Sequence, residues 1–187
     1  MKTVTRCWES SDPAYNTYHD DEWGRPVTDE AGVFERLCLE GFQSGLSWLT
    51  ILRKRENFRS AFVGFDPDAI SRFGDADVAR LLGDAGIVRH RGKIEAAIAN
   101  ARATVELRET TPLHELVWEF RQDGPPSTEW QAQTPGSVEL SKRLRAAGFR
   151  FVGPTTVYAA MQAIGVVNDH RADCFVREAV EHERLAL

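Results

Sequence analysis

Apolar residues recur at helical spacing along most of the chain. Residues 33–39 and 46–55 each carry apolar side chains every three or four positions, and a glycine-containing stretch separates them. Residues 93–107 show the clearest apolar stripe, formed by Ile94, Ala97, Ile98, Ala101 and Val105. Because no segment alternates apolar and polar residues with the two-residue period of a strand, the pattern predicts an all-α fold.

Glycine and proline mark the ends of several shorter helices. In chain order, the predicted helices are residues 77–82, HELVWEF after Pro112, residues 137–147, TTVYAAMQAI after Pro154, and residues 170–182. Residues 123–137 predict a loop because turn-forming residues dominate them. The 187 residues suffice for one sizeable core but are few for two, so we expect a single domain over residues 1–187.

Composition narrows the class of protein. Apolar residues make up 42% and charged residues 27% of the chain, as in an ordinary globular domain. Three cysteines are too few for a disulfide framework, which indicates a reducing compartment. No apolar run nears the roughly 18 residues that span a bilayer, and MKTVTRCWESS lacks the apolar core of a secretory signal. We expect a cytoplasmic monomer with no membrane partner.

The charge distribution is uneven. A net charge of −5, taken alone, argues against a nucleic-acid partner. Basic residues nevertheless cluster at residues 53–55, 89–93 and 142–150, and the last cluster contains no acid. Much of the acid lies in the C-terminal tail and in the early DDE, so one basic face on a mixed surface is compatible with the sequence.

Two pairs of metal-ligand residues lie at opposite ends of the chain. Cys7 and His19 are near the start, and His170 and Cys174 are near the end in NDHRADC. Residues four apart on a helix share a face, so His170 and Cys174 can bind one ion within the predicted last helix. All four would form a Cys2His2 set, typical of a structural zinc site with no open position. A small buried cysteine and a surface histidine are the ordinary alternative.

The segment LSKRLRAAGFRFVGPTTVYAAMQAIG predicts two helices joined by a short loop. Gly148 ends the first helix, where a positive φ is easy only for glycine. Phe149, Phe151 and Val152 are expected to anchor the loop in the core. Such a pair of helices is either a plain αα-hairpin or a helix-hairpin-helix element that contacts a DNA backbone without regard to base sequence.

The start of the second helix is suited to bind one phosphate group. Its first residues, GPTT at 153–156, leave N–H groups unpaired at the positive end of the helix dipole. The basic side chains that would flank this phosphate are Arg143, Arg145 and Arg150.

Aromatic residues and one carboxylate share the N-terminal half. Tyr15, Tyr18 and Trp23 lie close together in DPAYNTYHDDEWG, and Glu40 and Trp48 follow in CLEGFQSGLSWLTIL. A carboxylate amid apolar sequence needs a partner or a cavity, and aromatic rings around it suit a flat cationic ligand. The alternative is a core tryptophan together with a glutamate that caps a helix or pairs with an arginine.

Several long blocks together resemble the Tag family, 3-methyladenine DNA glycosylase I. They are RCW…DPAYNTYHDDEWG, FERLCLEGFQSGLSWLTILRKRENFR, DAGIVRHRGKIEAAIANARA and GFRFVGPTTVYAAMQAIGVVNDH. The resemblance runs from about Arg6 to Cys174, and the loop at residues 124–136 and the tail after Cys174 fall outside its constrained part. It implies a helix-hairpin-helix glycosylase fold.

The resemblance also implies a structural zinc ion that joins the two termini. Its ligands match Cys7, His19, His170 and Cys174. The family commonly has a residue between the cysteine and the following tryptophan. Cys7 and Trp8 are adjacent here, so the loop that carries Cys7 is one residue shorter.

The family's base pocket matches Glu40, Tyr18 and Trp48, with Trp8 as a second stacking face. We expect Glu40 and Tyr18 to hydrogen-bond the base edge, and Trp48 and Trp8 to stack on its faces. Glu40 is also the catalytic candidate, as the nearest group that could aid water or offset positive charge on the sugar. The DNA-contacting residues that the resemblance implies are Leu46, Gly148, Arg150, Gly153, Thr155 and Thr156. The family lacks an aspartate after the hairpin to act on water, and this chain has no acid between Gly153 and Val167.

The implied activity is hydrolytic removal of 3-methyladenine from double-stranded DNA, with the free base and an abasic site as products. The damaged nucleotide would be flipped into the pocket before the bond breaks. Three rival hypotheses are a DNA-binding protein without chemistry, a zinc-dependent hydrolase, and a glycosylase of broader scope. The first conflicts with retention of the pocket residues, and the second requires an open metal position.

Overall fold

A computed structural model describes residues 4–124 and 129–187, and within these ranges the secondary structure is entirely helical. The all-α prediction is therefore confirmed for the described chain. The helices are α1 (Pro13–Asp21), α2 (Glu30–Gln43), α3 (Trp48–Ala61), α4 (Pro67–Ser71), α5 (Asp75–Gly83), α6 (Arg91–Leu107), α7 (Leu113–Trp118), α8 (Pro135–Ala146), α9 (Pro154–Ile164) and α10 (Arg177–Leu185). Residues 125–128 of the predicted loop lie outside the described residues.

Side-chain caps set where several helices begin. Asp12, Asp29, Ser47 and Thr134 each accept a hydrogen bond from a backbone N–H in the first turn of α1, α2, α3 and α8. These bonds pair N–H groups that have no partner within a helix. Because Ser47 caps α3, this helix begins at Trp48, and Leu46 lies in the preceding loop rather than in the helix that the sequence predicted.

Helix α2 lies at the centre of the fold and packs against α3, α6, α7 and α9. Its buried face includes Phe34 and Phe42, and Phe42 contacts Phe58 of α3 with ring centroids 4.7 Å apart. Burial of these rings contributes to the hydrophobic stabilisation of the core. The central position of α2 also brings Glu40 into the interior.

The α8–α9 hairpin packs as one unit. Gly148 ends α8 with a φ of +97°, as predicted, and Ser141 donates a 2.6 Å hydrogen bond to the carbonyl of Val152. Phe149 and Val152 are buried, as expected. The expectation for Phe151 is wrong, because its side chain is 41% exposed and its backbone is left-handed.

Near the termini, one helix was not predicted and one predicted helix begins in the wrong place. Helix α1 was not expected, although Asp12 and Pro13 form a typical start. The last helix begins at Arg177 rather than at residue 170, so His170 and Cys174 do not share a helix face. Asn168 explains the difference, because its side chain accepts from the His170 N–H and donates to the Arg177 carbonyl.

The C-terminal tail is firmly attached to the domain. Arg184 of α10 is fully buried and donates hydrogen bonds to the carbonyls of Gly165 and Val166, at 2.7 and 2.9 Å. The Phe175 N–H also donates to the Thr5 carbonyl, which joins the two ends of the described chain. Among the described helices, none has the length and apolarity needed to cross a bilayer.

Candidate active site and metal centre

Four side chains from the two ends of the chain meet in one cluster. Cys7, His19, His170 and Cys174 bring their ligand atoms within 4.8 Å of one another. His170 Nδ1 lies 3.3 Å from Cys7 Sγ and 3.5 Å from Cys174 Sγ, and His19 Nε2 lies 3.5 Å from Cys174 Sγ. The four residues are close enough to bind one metal ion, and the shorter Cys7 loop still brings its thiol into the cluster.

The outer nitrogens of both histidines face acceptors. His19 Nδ1 lies 2.8 Å from the Asp20 carboxylate, and His170 Nε2 lies 3.0 Å from the carbonyl oxygen of Trp23. Because these acceptors have no proton to give, the outer nitrogens are the donors, and the inner nitrogens carry the lone pairs that a metal would need. In this structure the lone pair of His19 Nε2 accepts a hydrogen bond from the Cys7 N–H at 3.2 Å. Arg6 in turn donates to Asp20 and lowers the pKa of that carboxyl.

The cluster is largely removed from solvent. Burial lowers the pKa of His170 to about 4, so its imidazole is neutral at physiological pH. Burial also raises the pKa of the Cys7 thiol. A cation bound among these ligands would offset that burial cost for a thiolate.

A cavity of about 530 Å³ lies beside the cluster. Aromatic rings form much of its wall, and Tyr18 and Trp48 contact each other with ring centroids 5.2 Å apart. Trp8 lies 5.1 Å from Tyr15 and 5.0 Å from Trp23, measured between ring centroids. The structure thus brings the three predicted base-binding side chains, Tyr18, Trp48 and Trp8, to one cavity.

Glu40 lines the same cavity from the last turn of α2. Its side chain is buried, with the residue only 6% exposed, and no arginine or lysine of the described chain pairs with it. Burial raises the pKa of Glu40 to about 8, so the carboxyl is mostly protonated at neutral pH when the cavity holds no ligand. An unpaired carboxyl in an aromatic cavity favours a ligand that brings a positive charge.

A second polar wall was missed by the sequence analysis. Tyr158 and Gln162 of α9 and Asp169 beyond it also line the cavity. Tyr158 Oη donates to Asp169 Oδ2 at 2.5 Å, and Gln162 Nε2 donates to the same oxygen at 2.7 Å. Tyr158 and Gln162 lie four residues apart, so helical spacing offered a signal for this pair.

The cavity adjoins the hairpin. Thr155 at the start of α9 lines the cavity, and Gly153 before it provides no side-chain cap. The first N–H groups of α9 therefore remain free for an anion. Arg145 lies over this end of the helix, with Nη2 about 3.6 Å from the position a Cβ on Gly153 would take.

The remaining predicted DNA-contacting side chains are on the surface nearby or in the adjoining loop. Arg150 is exposed in the hairpin loop and Thr156 is half-buried on α9. Leu46 is 41% exposed in the loop between α2 and α3. Arg143, which was predicted to flank a phosphate, pairs with the partly exposed Glu119 at 2.5 Å in this structure.

Comparisons with known proteins identify the family. The family described as methyladenine glycosylase matches residues 8–178. DNA-3-methyladenine glycosylase 1 of Escherichia coli (strain K12) is 49% identical, over 91% of this chain and 96% of the relative. A crystal structure of 3-methyladenine DNA glycosylase I (TAG) superimposes with a TM-score of 0.87 at 47% identity, over 91% of this chain and 98% of the other.

A more distant structure has the same architecture. It is the 3-methyladenine DNA glycosylase I of Staphylococcus aureus, solved to describe recognition of 3-methyladenine. Its TM-score is 0.84 at 32% identity, and the match covers 90% of this chain and 93% of that protein. The chain belongs to the methyladenine glycosylase family.

Proposed function

We propose that this chain is a DNA repair glycosylase that removes 3-methyladenine from alkylated double-stranded DNA and leaves an abasic site. The observation that carries the proposal is the cavity whose wall includes both the contacting Tyr18 and Trp48 rings and the buried, unpaired carboxyl of Glu40. Methylation at N3 places a positive charge on adenine, and this cavity offers stacking faces and a countercharge for such a base.

Charge explains why the damaged base would be preferred. A cation beside Glu40 favours the ionised carboxyl, and so lowers its pKa from the raised value of the empty cavity. A neutral purine offers no such compensation. Guanine also presents an O6 acceptor where adenine presents its N6 amino donor, so a carboxylate aligned with that donor discriminates against 7-methylguanine.

The chemistry needs little help from an acid. The cationic base leaves as a neutral molecule, and water then forms the new bond at the sugar carbon. The enzyme must extrude the nucleotide from the duplex and hold it in the cavity. Tyr18, Trp48 and Trp8 would stack against or contact the base, and Glu40 would bind its edge.

The hairpin would hold the DNA backbone. The uncapped start of α9, with Gly153, Thr155 and Thr156, suits one phosphate, and the exposed Arg150 adds positive charge. Gly148 shapes the turn that presents these groups, through its positive φ. The exposed Leu46 would fill space near the vacated base position. These assignments make the α8–α9 pair a helix-hairpin-helix element.

The metal cluster suits a structural zinc ion. Tetrahedral geometry with Zn–S of about 2.3 Å and Zn–N of about 2.0–2.1 Å separates sulfur and nitrogen ligands by about 3.6 Å. Three of the sulfur–nitrogen separations, at 3.3 to 3.5 Å, are close to that value, and all four ligand atoms lie within 4.8 Å of one another. Four protein ligands leave no position for water, so the ion would join the termini and take no part in hydrolysis.

The test is the profile of bases released from methylated duplex DNA, separated by chromatography. We expect 3-methyladenine to be released in strong preference to 7-methylguanine. Equal release of both purines would favour a glycosylase of broader scope. Tight DNA binding with no release of either base would favour a DNA-binding protein without chemistry.

A further inference from the structure

Helix α6 carries two buried polar side chains on one face, Lys93 and Asn100. They lie seven residues apart, which is about two turns and about 10.5 Å along the helix axis. Both line a narrow cleft between α6, α2 and the hairpin loop, and neither is among the residues that line the aromatic cavity. Because a buried polar group is costly unless it is hydrogen-bonded, the partners of these two side chains indicate what they do.

Lys93 holds the turn between α2 and α3. Its ammonium donates hydrogen bonds to the carbonyl oxygens of Phe42 and Ser44, at 2.9 and 2.5 Å. Helix α2 ends at Gln43, so these carbonyls lie at the negative end of the helix dipole, where a cation is favoured. Burial opposes the charged form and lowers the pKa of Lys93, and the two carbonyls are the groups that compensate for this burial.

The turn that Lys93 holds ends at Leu46. The Leu46 N–H donates to the Gln43 carbonyl at 2.7 Å, and Gln43 Nε2 donates to the Leu46 carbonyl at 3.0 Å. Ser44 has a φ of −49° and a ψ of 119°, and Gly45 has a φ of +81°, as in a type II turn with glycine at its third position. Because the turn is closed by these bonds, holding the Ser44 carbonyl also fixes the place from which the exposed Leu46 projects.

Asn100 holds the hairpin loop in the same manner. Its Nδ2 donates to the Arg150 carbonyl at 3.0 Å, and its Oδ1 accepts from the Arg150 N–H at 2.7 Å. One side-chain amide therefore pairs both backbone groups of Arg150, whose own side chain stays exposed. The next residue, Phe151, has a φ of +55°, which is strained for a bulky side chain and persists only where the surroundings fix the backbone.

We infer that Lys93 and Asn100 are positioning residues that set the α2–α3 turn and the hairpin loop at a fixed separation along α6. The inference rests on the proposed function, in which Leu46 fills space near the vacated base position and Arg150 faces the DNA backbone. It deepens that function by naming what aligns the two contacts. A short duplex is a stiff ligand with regularly spaced phosphates, so contacts from two loops reach it together at least cost when their spacing is fixed in advance.

The first experiment is Lys93→Met in the full-length protein with its metal content verified. Methionine keeps a long unbranched side chain but removes both hydrogen bonds to the turn. We expect single-turnover excision of 3-methyladenine from duplex DNA to fall by about tenfold, because Leu46 is no longer held in place. Binding of free 3-methyladenine, measured by calorimetry, should change little, since Lys93 does not line the aromatic cavity.

Arg102 provides the matched control on the same helix. It also donates to two backbone carbonyls, those of Ser71 and Phe73 at 3.0 and 2.8 Å, but these belong to the segment between α4 and α5. Arg102→Met therefore removes the same charge and the same number of hydrogen bonds from a loop that is not assigned to DNA. Its excision rate should equal that of the wild type.

The second experiment separates positioning from a general loosening of the fold. Lys93→Met is combined with Leu46→Ala, because a residue that acts by placing Leu46 has little effect once that side chain is gone. Lys93→Met should slow excision by about tenfold in the wild type and by less than about threefold in the Leu46→Ala protein. A lysine that only stabilises the fold would slow excision by the same factor in both. Asn100→Ala with Arg150→Ala is the corresponding pair for the hairpin loop, measured by affinity for duplex DNA.

Each outcome bears on a different proposal. Wild-type protein that releases no 3-methyladenine would contradict the proposed function itself. An active wild type with an equally active Lys93→Met variant, an equal loss of excision in both backgrounds, or an equal loss of free-base and duplex binding would overturn only the positioning role. If Lys93→Met does not fold, the Asn100→Ala and Arg150→Ala pair applies the same test to the other loop, and additive losses there would overturn the inference.

Discussion

Glu40→Gln should make the protein more stable at neutral pH while impairing its activity. In the folded protein the Glu40 carboxyl is buried without a partner, and burial raises its pKa from an ordinary 4.5 to about 8. The unfolded chain releases this proton near pH 4.5, but the folded chain retains it up to about pH 8. Folding therefore opposes an ionisation that the unfolded chain undergoes freely.

The sign and size of the effect follow from this difference. Between pH 4.5 and pH 8 the folded state binds one more proton than the unfolded state, so the free energy of unfolding falls as pH rises. The slope is about 1.4 kcal/mol per pH unit, which amounts to about 3 kcal/mol by pH 7. Glutamine has a similar shape and does not ionise. The variant should match the wild type near pH 4.5, gain relative stability up to pH 8, and hold that gain above it.

The assay is urea unfolding followed by tryptophan fluorescence at several pH values, with equal metal content in both proteins. Glu35→Gln is the matched control, because Glu35 lies on the same helix and is also buried, but it pairs with Arg59 at 2.8 Å. That substitution should lower stability, since it leaves Arg59 without this partner. A stability difference between Glu40→Gln and wild type that stays constant from pH 5 to pH 8 would refute the reasoning.

Three further predictions concern the metal, the DNA and the base. Cys174→Ser should reduce bound zinc and lower the melting temperature by about 10 °C or more; freshly purified wild type without zinc by elemental analysis would contradict this. Gly153→Val should weaken binding to all duplex sequences alike, and the fold should stay intact, because a Cβ at Gly153 would come within 4 Å of Arg145 alone, at 3.6 Å. Arg150→Ala should likewise weaken binding to all sequences, and it should reduce the slope of log affinity against log salt concentration by about 1. Loss of affinity for one sequence alone would contradict both predictions. Trp48→Ala should weaken binding of free 3-methyladenine by about 1–3 kcal/mol without changing the preference over 7-methylguanine, which calorimetry and base release can measure.

Local sequence signals predicted the interior helices well. Residues 93–107 and 137–147 carry strong helical periodicity, and α6 and α8 agree with them to within two residues. Their boundaries come from caps and glycines that act over a few residues. The segment after α9 was predicted less well, because the Asn168 side chain bonds to the backbone and competes with helix formation.

The prediction of the candidate site was good for the residues that the resemblance identified and incomplete for the others. Glu40, Tyr18 and Trp48 lie on three different helices or helix starts, and only the tertiary fold brings them to one cavity. The sequence did not identify Asp169 as a residue of the cavity wall. It lies five residues beyond the end of α9, and the turn there returns it to the side of Tyr158. Sequence spacing carries no signal for such a return.

The metal cluster and the cavity are built from neighbouring residues. Cys7 precedes Trp8, His19 follows Tyr18, and His170 follows Asp169, so three of the four candidate ligands adjoin a side chain that lines the cavity. A metal held by the cluster would therefore fix the backbone on both walls of the cavity as it joins the termini. Its influence on base binding would come from the position of these neighbours and not from contact with the base. Cys174 is the exception, because neither of its neighbours in sequence lines the cavity, and its loss should affect stability before it affects recognition.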